Sequence, residues 1–299
     1  MKAMDTPISF VIPAYNEEHY LGGCLDAILR EAKGRTGVEI IVVDNNSNDG
    51  TAAVAKARPG VTLLREPRRG ANRTRQTGFE AAHGELIAFL DADTIMPPGW
   101  IDRVERAFAK DPNLVCLSGP FIYYDLPMRI RALSRTFYLI AYVIYLAERA
   151  ILKKTTIVQG GNYAVRAEAF RKIGGQNVDL TFYGDDTDNA VRLSKVGFVK
   201  FDLSLTMPTS GRRLAKEGVF VMGLRYTINN IWIIFFHRPY TEVSTEVRFG
   251  KEGTVYRPTH RVKDWFIGIG AFIILAAIAA VILAALWFGI AALAGIFVR

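Results

Sequence analysis

Short apolar runs closed by polar or turn-forming clusters alternate with amphipathic stretches through the N-terminal third of the chain. Ile8-Ser9-Phe10-Val11-Ile12-Pro13 reads as a buried strand ended by proline, being short and rich in β-branched residues. Asn16-Glu17-Glu18 predicts a helix start, with Asn16 as N-cap and the carboxylates complementing the positive end of the helix dipole. Val38 to Asp44 is a second strand, and the turn from Asn45 to Thr51 is rich in residues that bond their own backbone. A helix from Thr51 to Ala57, a strand from Val61 to Leu64, a helix from Ala71 to Ala82 and a strand from Leu86 to Leu90 follow. This βαβαβαβ series predicts an α/β fold, a Rossmann-like, mostly parallel sheet covered by helices.

Beyond Asp93 the alternation loosens. Val115 to Gly119 reads as a further strand. Phe137 to Ala147 is a continuous apolar and aromatic run with arginines before it and Arg149, Lys153 and Lys154 after it; it is shorter than the roughly 20 residues a bilayer crossing requires. Val219 to Phe236 is longer but is interrupted by Arg225, Asn229 and Asn230. Both segments, near 130–152 and 219–236, are expected to be interfacial helices. From Trp265 to Val298 no charged residue occurs, which predicts a C-terminal transmembrane helix over 265–298 after a juxtamembrane linker over 239–264. Arg257, Arg261 and Lys263 precede that span and only Arg299 follows it, so the N-terminal region, 1–238, is expected on the cytoplasmic side of a single-pass inner-membrane protein.

Charge supports this picture. The formal net charge is +8, and the basic residues of the second half lie beside apolar and aromatic stretches, a juxtaposition suited to a membrane surface. No zinc-knuckle spacing or RNA-binding aromatic signature occurs, so nucleic acid is not an expected partner. Cys24 and Cys116 lack metal or redox spacing and are expected as buried free thiols. Met1 to Asp5 leads into a strand without an apolar h-region, so a cleaved secretory signal is not expected.

The chemistry concentrates at strand ends. Asp91-Ala92-Asp93 places two carboxylates one residue apart at the end of an apolar strand, where their mutual repulsion is relieved by a divalent cation. Glu17 and Asp44 follow the first two strands, and parallel strands share one carboxyl edge, so all four acids should border one ligand crevice. The basic segment Arg68-Arg69-Gly70-Ala71-Asn72-Arg73-Thr74-Arg75 runs into a helix and suits an anion. A nucleotide together with a metal is the expected occupant.

The phrases Val11-Ile12-Pro13-Ala14-Tyr15-Asn16-Glu17-Glu18, Val42 to Thr51, Phe89-Leu90-Asp91-Ala92-Asp93, Gly160-Gly161-Asn162-Tyr163-Ala164-Val165-Arg166 and Tyr183-Gly184-Asp185-Asp186-Thr187-Asp188 together resemble the family 2 glycosyltransferases of GT-A fold, over about residues 7 to 238. The resemblance implies an inverting transferase that uses a nucleotide-diphospho-sugar and Mg²⁺ or Mn²⁺. Carried over by position, it implies nucleotide contacts at Ala14, Glu17, Asp44, Arg75 and Asp91, metal contacts at Asp93 and Asp91, and a general base at Asp186. It also brings Gly161 and Asn162 to the acceptor or diphosphate. Asp185 stands where the family usually has Glu, which keeps the charge and shortens the reach. Arg212 and Arg213, after the base, are candidates for a diphosphate or lipid phosphate.

No Gln-x-x-Arg-Trp motif of processive synthases occurs, so transfer of one sugar is expected. The acceptor is expected to be a lipid or lipid-linked glycan, brought to Asp186 by the interfacial helices. A polyprenyl-phosphate sugar synthase is the alternative within the enzyme class, although Thr94-Ile95-Met96-Pro97-Pro98 does not match the stretch such synthases carry after Asp-x-Asp. A non-catalytic, membrane-tethered sugar-nucleotide-binding protein is the alternative outside it.

Overall fold

The structure, a computed structural model, describes residues 6–152, 155–180, 184–218, 221–223, 225–226, 228–229 and 232. The expected linker at 239–264 and span at 265–298 lie outside the described residues, as does most of the 219–236 run. A seven-stranded sheet is built from β1 (Ile8–Ala14), β2 (Val38–Asp44), β3 (Val61–Arg65), β4 (Leu86–Leu90), β5 (Leu114–Ser118), β7 (Asn162–Arg166) and β8 (Phe198–Phe201) in the order β3-β2-β1-β4-β7-β5-β8. β1, β2, β3 and β4 pair in parallel, as the alternation of elements predicts, and β5 and β8 pair likewise. β7 is antiparallel to both neighbours.

The path of the chain explains that inversion. β5 ends on the same edge as β1, β2 and β4, and the chain then makes β6 (Phe121–Tyr123) and the long helix α5 (Met128–Leu152) before returning. Re-entry from that edge forces β7 to run down the sheet. Its first residue, Asn162, therefore pairs with Leu90, the residue before Asp91.

Side chains alternate across the strands, so two cores form on opposite faces. On one face Phe10, Ile12 and Leu90 pack with Leu25 and Ile28 of α1 (Leu21–Ala32) and with Trp100, Ile101 and Val104 of α4 (Trp100–Lys110). On the other, Val11, Val43 and Phe89 pack with Phe79 of α3 (Ala71–Ala81), Phe170 of α6 (Ala167–Lys172) and Leu193 of α7 (Asp185–Leu193). Phe89 stacks on Tyr163 with centroids 4.8 Å apart, which clamps β7 against β4 just below the edge. Cys24 and Cys116 are buried free thiols, as expected.

Two elements differ from the sequence reading. Asn16 is not an N-cap: it adopts φ 54°, its Oδ1 accepts the Asn48 N–H, and its own N–H donates to Ser47 Oγ. Together with the Glu17 N–H to Thr51 Oγ1 bond, this staples the β1–α1 loop to the turn before α2 (Thr51–Lys56), and α1 starts only at Leu21. The apolar run at Phe137–Ala147 is the middle of α5, a 25-residue helix that is by length and composition long enough to cross a membrane. One side of it packs on the domain. Tyr138 and Tyr145 meet Phe201, the Tyr138 hydroxyl donates to Gln159 Oε1, and Glu148 accepts the Thr156 N–H. Its exposed side chains include Met128, Leu139, Leu146 and Ile151 together with Arg129 and Arg135.

Candidate active site

The carboxyl edge of β1, β2 and β4 carries the first group of candidate residues. Ala14 is buried and in register with Asp44, so the two strands end together. Both Asp44 oxygens face the Ser47 N–H, at 3.2 and 3.4 Å. Asn45, next in the chain, donates to the carbonyls of Glu66 and Arg68 and accepts the Gly70 N–H, which fastens the basic loop to the edge. The Arg69 guanidinium lies 3.2 Å from the centre of the Tyr15 ring. Ala14, Tyr15, Asp44 and Arg69 thus lie at one edge.

Next along the edge, partly exposed acids gather around one buried arginine. Arg75 Nη2 donates to Asp91 Oδ1 at 2.9 Å and Nη1 to Asp185 Oδ2 at 3.0 Å. This guanidinium, expected at a base or diphosphate, is held between two carboxylates and is a bracket between β4 and α7. α3 also holds the loop leading to α7: Asn72 Nδ2 donates to the Leu180 carbonyl, and Gln76 Oε1 accepts the Gln176 N–H. The Gly160 N–H donates to Asp186 Oδ2 at 3.0 Å. A Cβ built on Gly160 would overlap the Asp186 carboxylate, and one on Gly161 would overlap that of Asp91. The glycine pair at the start of β7 is what lets the two acids approach one backbone segment. Burial, and then the neighbouring Asp185 charge, push the Asp186 carboxyl well above the usual carboxylate range, with Arg75 opposing. Burial raises Asp185 as well, again against Arg75.

A second charged knot surrounds Asp93. Arg212, in the first turn of α8 (Arg212–Glu217), places Nη2 3.1 Å from Asp93 Oδ2 and 2.5 Å from Glu17 Oε1, and its guanidinium lies over the Tyr20 ring at 4.4 Å. Thr209 Oγ1 donates to Asp93 Oδ1 at 3.2 Å. The parallel pairing of β6 with β9 (Met207–Thr209) and the Thr94–Thr209 bridge bring this segment under the Asp-x-Asp turn. Asp125 then fixes the approach, accepting the Ser210 hydroxyl and the Gly211 N–H, both at 2.6 Å. Burial raises the Asp93 carboxyl above its ordinary range, with Arg212 opposing.

The sequence-predicted residues divide accordingly. Ala14, Glu17, Asp44, Asp91, Asp93, Arg75, Gly161, Asp185, Asp186 and Arg212 all come to this edge. Asn162 does not face the crevice. Its side chain is fully buried, accepts the Trp100 indole N–H and donates to the carbonyls of Gly119 and Leu205, so the expected ligand contact is a structural support. Arg213, a candidate for a diphosphate or lipid phosphate, lies 3.6 Å from Glu217 on its own helix. Sequence reasoning missed Gly160, Tyr20, Thr209 and Asp125 as parts of the site. Gly160 was legible as the first glycine of the Gly-Gly-Asn phrase; Asp125 carries no local signal, because only the β6–β9 pairing brings it to Gly211.

Residues 9–174 match the family described as Glycosyl transferase family 2, more than half of the chain. The chain belongs to that family. Among its curated relatives are glycosyltransferase AglE of Haloferax volcanii, 33% identical over 101 residues that make up 32% of this chain and 33% of that protein. A putative glycosyltransferase, EpsH of Bacillus subtilis, is 30% identical over 38% of this chain and 33% of its own length. The matched stretches thus span about a third of these relatives. Two solved structures are similar in fold. One is the mannosyltransferase PcManGT from Pyrobaculum calidifontis in complex with GDP-Man and Mn²⁺: TM-score 0.60, 20% identity, 95% of this chain and 80% of that one. The other is glucosyl-3-phosphoglycerate synthase from Mycobacterium tuberculosis with Mn²⁺ and UDP-glucose: TM-score 0.54, 20% identity, 76% and 78% of the two chains. The family 2 domain therefore has the GT-A fold, with β7 and the Asp-x-Asp turn at its carboxyl edge.

The donor set of this family 2 domain suits a hard cation that arrives with other ligands. Among the described residues no group of three His, Cys, Asp or Glu side chains forms a closed metal cage. Asp91 and Asp93 offer oxygen only, and a small divalent ion bound through one or two carboxylates completes its shell with phosphate oxygens and water.

Proposed function

We propose that this family 2 protein is an inverting glycosyltransferase that moves one sugar from a nucleotide-diphospho-sugar to a hydroxyl of a lipid or lipid-linked acceptor at the cytoplasmic leaflet. The observation that carries the reading is Asp186. It is a half-buried carboxylate with one oxygen fixed by the Gly160 N–H, set across the Arg75 bracket from Asp91 at the edge where a diphosphate would lie. The neighbours' GDP-Man, UDP-glucose and Mn²⁺ complexes support the same donor class here.

In this reading the nucleoside lies at the edge that carries Ala14, Tyr15, Asp44 and Arg69. Asp186 Oδ1 takes the proton of the acceptor hydroxyl as its oxygen bonds to the anomeric carbon from the face opposite the diphosphate. The bond from that carbon to the diphosphate breaks, and its electron pair leaves with the nucleoside diphosphate. Asp93, with Asp91, would hold Mg²⁺ or Mn²⁺, which when bound supplies positive charge to the departing diphosphate. Arg75 keeps Asp91 and Asp185 in place and opposes protonation of Asp186.

The membrane side of the proposal rests on α5. Its exposed Met128, Leu139, Leu146 and Ile151, with Arg129 and Arg135 beside them, suit a helix lying at an anionic lipid surface next to the acceptor half. The deciding experiment is transfer kinetics of Asp186→Asn. A general base predicts a loss of about 10²- to 10⁴-fold in kcat with donor binding kept. Near-normal kcat would refute the hydroxyl acceptor and leave the phosphate acceptor of a polyprenyl-phosphate sugar synthase, which needs no base.

A further inference from the structure

We infer that Arg212 is an exchangeable counter-cation for Asp93: it competes with the divalent ion for this carboxylate and moves to the diphosphate when metal and nucleotide bind together. The inference rests on the donor and metal of the proposed function. Three observations on the chain itself support it.

The first is position. Nη2 contacts Asp93 Oδ2 at 3.1 Å, and with Thr209 on Oδ1 both oxygens of that carboxylate are engaged by donors. A metal ion on this carboxylate would sit directly beside a guanidinium of like charge, and the repulsion between the two cations sets them in competition for it. Metal without nucleotide must therefore break the Arg212–Asp93 pair with no replacement for the arginine.

The second is what remains after that pair breaks. Arg212 is also bonded to Glu17 Oε1 at 2.5 Å and lies over the Tyr20 ring, so release from Asp93 does not leave its charge uncompensated. Asp125 continues to hold the backbone at Ser210 and Gly211, which keeps the arginine at the edge. The movement is a small swing of one side chain.

The third is an unused donor. Arg212 Nη1 is buried and has no hydrogen-bond partner among the described residues, an expensive condition for a charged group. A diphosphate oxygen at this edge would satisfy it and form a charge-assisted bond to the fork. Metal and diphosphate then favour each other's binding beyond their own chelation: the diphosphate re-partners the arginine that the metal displaces, and by linkage each raises the other's affinity by the same factor.

The test is Mn²⁺ binding to the full chain, read as free Mn²⁺ by electron paramagnetic resonance, without nucleotide and with UDP or GDP. Wild type is compared with Arg212→Gln and Arg212→Lys, all checked for folding by circular dichroism. The expected result is that Arg212→Gln binds Mn²⁺ alone at least about fivefold more tightly than wild type while its gain from UDP or GDP shrinks. Arg212→Lys keeps the charge and should restore weak nucleotide-free binding. Unchanged or weaker nucleotide-free binding in Arg212→Gln overturns the exchange. Should that variant not fold, the arginine Nε–H signals of wild type decide: one must shift with Mg²⁺ plus UDP or GDP beyond the sum of the shifts that each gives alone, and no such extra shift overturns the exchange. Wild type that binds no Mn²⁺ even with UDP or GDP refutes the metal reading of the proposed function itself, together with the exchange. Failure of the exchange alone leaves Mn²⁺ binding with nucleotide intact.

Discussion

The Gly160 N–H reaches Asp186 Oδ2 over 3.0 Å, and the contact exists because residue 160 has no side chain to occupy the space taken by the carboxylate. Two segments 26 residues apart in sequence thereby form one wall of the site, and Gly161 repeats the arrangement against Asp91.

Gly160→Ala should consequently lower turnover in a chain that still folds. The added methyl pushes the Asp186 carboxylate away from its place, and a displacement of that size at a reacting group costs on the order of 10²-fold in rate. Overpacking itself costs about 1–3 kcal/mol. Steady-state kinetics with thermal melts check this; a kcat within a few-fold of wild type contradicts it.

Arg75 opposes the rise of the Asp186 carboxyl, so removing its charge should drive that carboxyl further up. A base works only when deprotonated, and the acid limb of the kcat/KM–pH profile should therefore move to higher pH in Arg75→Gln and less so in Arg75→Lys. Profiles for the three proteins compare the limbs directly. An unmoved limb in Arg75→Gln would show that this arginine does not act on the base.

The raised Asp186 carboxyl also has a consequence for stability. Between the ordinary carboxylate range and its own higher value the folded chain holds a proton that the unfolded chain has lost, so stability falls as pH rises through that window. Asp186→Asn removes this penalty and keeps an acceptor for the Gly160 N–H. The variant should melt higher than wild type at neutral pH, by about 2–4 °C for each kcal/mol regained, and the advantage should shrink toward pH 4. Equal melting at both pH values would contradict the burial of an ionised Asp186.

α5 gives a prediction about the membrane. In a chain ending before Trp265, binding to anionic vesicles should persist at low salt and weaken at high salt, and the double variant Arg129→Glu/Arg135→Glu should lose about 1 kcal/mol or more per arginine. Vesicle flotation measures both. A shortened protein that stays unbound at low salt would return α5 to a purely structural role.

The sequence by itself determined the parallel half of the sheet and the acids at its carboxyl edge. Apolar runs of strand length alternating with amphipathic segments admit little else, and Asp44, Asp91 and Asp93 terminate their strands in the chain itself. Contacts between segments distant in sequence required the tertiary structure. The excursion through β6 and α5 fixed the reversed direction of β7, which sets Gly160 and Gly161 against Asp186 and Asp91. The β6–β9 pairing, a matter of backbone hydrogen bonds with no residue signature, carried Arg212 to Asp93 and Glu17. Asn162 and Arg75 show the same division: residue type announced each as a polar group at the edge, while only its neighbours in space decided that one supports the turn and the other joins two carboxylates. Local pattern follows from the chemistry of adjacent residues, whereas the partner of a charge is set by whatever the fold places within about 3 Å of it.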